Sequence, residues 1–246
     1  MLRIFNPYSK NRLKLDFNLT ESVENVFDLF KRHFPIDMID SLDKKFEFDS
    51  TNIFQIFDIL NFHFFGGILN RIPFTMCSAN DFKSILIQIE KFEDAEYEYY
   101  TAYMPQYKND RGEIVKQTIF IIDDCGKMTF KFAVSCMMHE MIHYYDFTRG
   151  TISRRIKRGA YRRGDEHFTP EFQRYTAFAA SEGLKIMPNG YGKNFDELNR
   201  EIAEFKPLTE EEENAGWKKM VDRLKAGEDI PGVALAPNGN VVFIVV

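Results

Sequence analysis

Cysteine is scarce in this chain. Its 246 residues hold only three, Cys77, Cys125 and Cys136, widely spaced and with no CxxC pair. That excludes a disulfide framework and a cysteine zinc ribbon, and it suits a reducing compartment. Long apolar runs are missing as well. The longest, Val241 to Val246, falls far short of the roughly 18 residues that a membrane span needs. The first ten residues lack the apolar stretch of a signal peptide. A net charge of −5 leaves no overall basic excess, so any contact with nucleic acid must come from a local patch. These absences together set the expectation of a soluble, cytoplasmic protein with no membrane partner.

What is present suffices for a folded core. Hydrophobic residues make up 44% and charged residues 28%, close to globular averages, so a wholly disordered or fibrous chain is excluded. The sequence divides into a helical appendage over 1–50, a central domain over 51–205, and a second appendage over 206–246. In the first part, Val23, Phe27 and Phe30 mark the apolar stripe of a helix from Glu21 to Phe34, capped by Thr20 and ended by Pro35. In the second, Ile53, Ile56, Phe57, Leu60 and Phe64 give a buried helix face, which Gly66 and Gly67 terminate. Ser84–Ile89 alternates weakly, Tyr97–Met104 and Gln117–Ile122 are rich in aromatic and β-branched residues, and together they predict a small, mostly antiparallel sheet. A long helix follows from Lys127 to Phe147. The stretch from Arg149 to Arg163 reads as basic and irregular. Thr169-Pro170 opens another helix, with Thr as cap and Pro at the first turn. In the last part, Thr209 caps a helix with Glu210 to Glu213 at its positive end and Lys218 to Lys225 towards its negative end. Pro237-Asn238-Gly239 then signals a hairpin. The fold class predicted is α+β.

The chemistry concentrates in His139-Glu140-Met141-Ile142-His143. On a helix, residues four apart share a face about 6 Å apart, so both imidazoles reach one ion. The glutamate stands beside that ion, placed to take a proton from a metal-activated water as general base. Only five histidines exist, so this pattern arises by chance about once in a hundred such chains, too seldom to dismiss. A catalytic zinc wants three protein ligands and an open position. His167, just before the Thr169-capped helix, is the candidate third ligand, with Glu166, Asp165 and then Glu171 as alternatives. His33 and His63 read as core-edge or surface residues, and Cys136 as a small buried hydrophobe. Tyr144, Tyr145, Tyr161 and the arginines near Arg163 are available to stabilise an oxyanion.

Two segments resemble the SprT-like family of zinc metallopeptidases, which includes the Spartan-type proteases. Phe57-Asp58-Ile59-Leu60-Asn61-Phe62-His63-Phe64-Phe65-Gly66-Gly67-Ile68-Leu69 is similar to the family's glycine-bearing opening helix. His139-Glu140-Met141-Ile142-His143 with His167-Phe168-Thr169-Pro170-Glu171-Phe172 is similar to its active-site helix and downstream element. Phe168 stands where the family usually has Gly, and Phe172 comes one residue later than its pattern. The resemblance spans roughly residues 51–187. It implies a zincin-like fold with the small sheet beside the HExxH helix, Zn2+ held by His139, His143 and His167, and Glu140 as the base.

The expected function is therefore a zinc-dependent metalloprotease acting on a protein or peptide substrate. Rival readings are a non-catalytic zinc-containing adaptor on the same scaffold and a zinc hydrolase of a non-peptide amide. Arg154, Arg155, Lys157, Arg158, Arg162 and Arg163 lie in a stretch without acids. They make nucleic acid an expected partner, as the Spartan resemblance also suggests, with an acidic protein or a solvated loop as alternatives. The acidic residues Glu90, Glu93, Asp94, Glu96 and Glu98 read as a solvated face.

Overall fold

The computed structural model describes residues 3–5, 25–78, 80–82, 84, 102–103, 106–108, 114–122, 128–160, 167, 169–186, 195–207, 209–228, 233–235 and 241–243. In chain order these form β1 (Arg3–Phe5), α1 (Val26–Lys31), α2 (Ile36–Ile39), α3 (Asn52–Phe65), β2 (Phe74–Cys77), β3 (Ala102–Tyr103), β4 (Gln106–Lys108), β5 (Ile114–Gln117) and β6 (Ile119–Ile122). The helices α4 (Phe130–Thr148), α5 (Thr151–Lys157), α6 (Pro170–Ser181), α7 (Phe195–Ala203) and α8 (Glu210–Lys225) follow, then β7 (Val233–Leu235) and β8 (Val241–Phe243).

One sheet has the order β1-β2-β6-β3. Its central pair, β2 and β6, is parallel, with Phe74 opposite Ile119 and Cys77 opposite Ile122. Both flanking pairs, β1 with β2 and β3 with β6, are antiparallel. β4 pairs with β5, and β7 with β8, in separate two-stranded ladders. The expected single strand Gln117–Ile122 is thus split at Thr118 between two sheets. Ser84 is helical where a strand was expected to begin, and residues 85–89 lie outside those described. β2 was not foreseen. All four of its residues are buried, and a strand covered on both faces shows no alternation to read.

The core gathers around α4, and fifteen of its nineteen residues are buried. α3 packs against it, ending at Gly66 in a left-handed conformation (φ 62°) that an L side chain rarely adopts. The segment from residue 25 to 48 is part of this core and not set apart from it. Phe30, Phe34 and Phe46 each bring a ring within 5.0–5.3 Å of Phe130, and Phe46 N–H bonds to the carbonyl of Met128 at 2.7 Å. The reason is burial. Val26, Phe30 and Phe48 are 0–1% exposed, so the segment's apolar side chains leave water by packing on this core. α1 starts later than expected, at Val26, because Asn25 caps it by accepting Phe27 N–H. The expected cap Thr20 lies outside the described residues, and Pro35 ends the turn after α1 only to open α2.

The C-terminal part follows its local signals closely. Thr209 and Glu212 form a reciprocal capping box at the start of α8. β7 and β8 pair as an antiparallel hairpin, with the Pro237–Gly239 turn outside the described residues. No helix among the described residues is long and apolar enough to cross a membrane.

Candidate metal centre

α4 is held at both ends and along its flank. Thr129 caps it, its hydroxyl accepting Phe132 N–H, while its own N–H donates to Asn199 Oδ1 on α7 at 2.8 Å. Ser135 donates its hydroxyl to the Lys185 carbonyl at 2.6 Å. Position and rotation of the helix are thereby fixed, and with them the directions of its histidines.

His139 and His143 are one helical turn apart, and their Nε2 atoms lie 3.0 Å from each other. His167 enters from the turn before α6. Its Nε2 is 3.3 Å from that of His143 and 3.2 Å from that of His139. The three nitrogens form a nearly equilateral triangle. Each imidazole nitrogen has a single in-plane site, a proton or a lone pair, so a closed triangle of mutual hydrogen bonds satisfies none of the three well. A cation satisfies all of them. Two nitrogens bound at about 2.0–2.1 Å to one tetrahedral centre lie roughly 3.3 Å apart, close to the observed separations. The donor set therefore fits a metal ion. Burial pushes the His143 imidazole well below its ordinary pKa, and the neighbouring His139 and His167 push it the same way. The neutral ring this enforces is the form that offers a lone pair.

Glu140 is 4% exposed, and its Oε1 lies 3.9 Å from His139 Nε2. A carboxylate sits at the margin of the nitrogen triangle without belonging to it. Phe172 forms the apolar floor. Its ring centroid is 5.2, 5.1 and 5.0 Å from those of His139, His143 and His167, so one side chain touches every member of the set. In the sequence Phe172 stands out only as part of the downstream pattern; its spacing from His167 and from the helix start at Thr169 is the signal that brings it under the cluster.

Asp146, an acid with no motif around it, is 1% exposed. Its Oδ1 accepts Ile152 N–H at 2.9 Å and its Oδ2 accepts the Thr169 hydroxyl. Burial raises its pKa, and the Thr169 and Ile152 donors oppose that rise. The chain crosses directly over this residue at Gly150, where an added Cβ would lie 2.7 Å from the Asp146 Cα.

Comparison of the chain with protein-family models, curated proteins and solved structures gave no match. The chemistry of the site is therefore read from its own geometry.

The remaining sequence candidates separate cleanly. Asp165, Glu166, Tyr161, Arg162 and Arg163 lie outside the described residues. Glu171 pairs with Arg154 at 2.9 Å and points its chemistry to α5 instead of the triangle. His63 faces Glu182 at 2.9 Å, and His33 is exposed. Cys136 and Cys77 are buried thiols. Tyr145 stacks with Phe65 and Tyr175 at 5.7 and 5.3 Å, while Tyr144 is buried, which raises its phenol pKa against the pull of Arg149. The basic stretch is not irregular throughout. Thr151–Lys157 is helical, opened by Gly150 and secured through its Ile152 N–H, with Arg149, Arg154, Lys157 and Arg158 exposed.

Proposed function

We propose that this chain is a zinc-dependent metallopeptidase with a zincin-like, α+β catalytic unit related to the SprT-like family. The observation that carries the reading is the convergence of three imidazole nitrogens with a buried glutamate on the same helical turn. The motif resemblance and the placement of β3 and β6 against α4 add support. His139, His143 and His167 would hold the ion. When bound, zinc supplies a Lewis acid that lowers the pKa of water towards about 7 and polarises a scissile carbonyl.

The chain's own residues do the rest. The Glu140 carboxylate takes the proton of the attacking water and delivers it to the leaving amine nitrogen. Its burial keeps bulk water from competing for that proton. Phe172 closes the back of the site, so substrate approaches from the other side. Among the described residues β3 is an outer strand of the sheet, and an extended peptide added there would be gripped by its backbone, giving weak side-chain specificity. Arg154, Arg155, Lys157 and Arg158 on and after α5 offer a basic surface for nucleic acid, and Arg162 and Arg163 follow them in the sequence. The substrate class that follows is protein bound to nucleic acid, in the cytoplasm.

Zinc content and hydrolysis test this together. Wild type is expected to hold about one zinc per chain by elemental analysis, and His167→Ala to lose it. Glu140→Gln is expected to keep zinc while losing hydrolysis of casein and of DNA-bound protein by roughly 10²–10⁴-fold. Full activity in that variant, or no zinc in the reconstituted wild type, would sink the assignment.

A further inference from the structure

His167 reaches the site from a separate turn, so its place depends on how that turn is held against α4. Among the described residues a polar contact joins the two. Thr169, two residues after His167, is 0% exposed. Its hydroxyl accepts Phe172 N–H at 3.1 Å and donates to Asp146 Oδ2 on α4. The other Asp146 oxygen holds the first turn of α5 through Ile152 N–H. One carboxylate thus ties the starts of two helices to the helix carrying His139 and His143. We propose that the Asp146–Thr169 contact is a positioning clip for the metal centre, setting His167 before it and Phe172 after it in register with the other two histidines.

This rests on the three-histidine metal reading above. Packing alone would hold α6 on α4, but apolar contacts are non-directional and leave the turn free to rotate. A hydroxyl with one donor and one accepted bond, both used, fixes the turn about a defined axis. The outer tie between α5 and α6, Arg154 with Glu171, is solvent-exposed on the arginine side and too weak to replace it. Gly150 serves the same clip, since its missing Cβ lets the chain pass over Asp146 and turn into α5.

The test uses the full chain stripped of metal. Zinc affinity is measured by competition with a chromophoric chelator, and coordination by the ligand-field spectrum of bound Co2+. Thr169→Val is expected to lower zinc affinity about 10–100-fold, the usual cost of losing an outer-shell partner, and to change the Co2+ spectrum. Thr169→Ser, which keeps the hydroxyl, is expected to restore both. Leu198→Ala is the stability control, buried on α7 by the opposite end of α4. Wild-type affinity in Thr169→Val overturns the clip. So does an equal loss in Leu198→Ala at a matched fall in apo melting temperature. If Thr169→Val does not fold, Asp146→Asn carries the same expectation, and its binding zinc like wild type overturns the clip. A wild type that binds no zinc removes the metal reading and the clip together, whereas binding that none of the clip variants alters removes the clip alone.

Discussion

α4 and α8 are both long, Thr-capped helices, and they owe their helicity to opposite causes. α8 has every local device: a reciprocal capping box, acids in its first turn, Arg223 and Lys225 in its last. Its described side chains are all exposed or half-buried. α4 has one cap, no acid in its first turn and no base in its last, and it carries aromatic and β-branched residues of middling propensity. Tertiary packing holds it. A site is better built on the helix that its neighbours hold. Groups set to about half an ångström need surroundings that lock them, and the described side chains of α8 are not buried in any.

The two helices are expected to differ most at the proposed metal site. His143→Ala is expected to abolish stoichiometric zinc, while Lys218→Ala and Lys219→Ala on α8 leave it untouched, as elemental analysis would report. Zinc retained in His143→Ala would mean that α4's burial serves packing only. Next in size, Phe130→Ala removes a ring wedged among Phe30, Phe34 and Phe46 and should cost about 3–5 kcal/mol in denaturant unfolding. Gly150→Ala pushes a methyl into the Asp146 backbone, and a cost of about 1–3 kcal/mol is expected. An unchanged unfolding midpoint there would show that the crossing is loose. Thr209→Ala, finally, should cost about 1 kcal/mol or less, seen as fraying of α8 by hydrogen exchange, with zinc content unaffected.

The sequence was most legible where a signal is local. Thr129 and Thr169 lie beside their helices, the four-residue spacing puts His139 and His143 on one face, and His167 falls next to a rigid helix start. The three residues named as ligands are the three whose nitrogens meet. Legibility failed where a residue's role depends on a distant partner. Asp146 is an ordinary acid in the sequence, and only the approach of Thr169, twenty-three positions later, makes it a junction. Phe46 and Phe48 look like members of an appendage until Phe130 lies against Phe46, and Phe46 against Phe48. β2 hides because it is covered on both sides. α5 hides because arginine-rich, seven-residue helices carry no stripe long enough to read.

The partners that fix α4 also set an order in time. His139 and His143 leave the ribosome before His167, and the Lys185 carbonyl and Asn199 side chain that steady the helix come later still. At about 5–20 residues per second, translation from His143 to Asn199 takes roughly 3–11 s. During that interval two imidazoles and a glutamate exist on a chain that has not yet built the rest of their cage. Metal captured then would be held by two ligands and easily exchanged. On the proposed metal reading, the cage is complete only once Asn199 has been made, so the ion would be chosen by the folded site and not by whichever cation the nascent chain meets first.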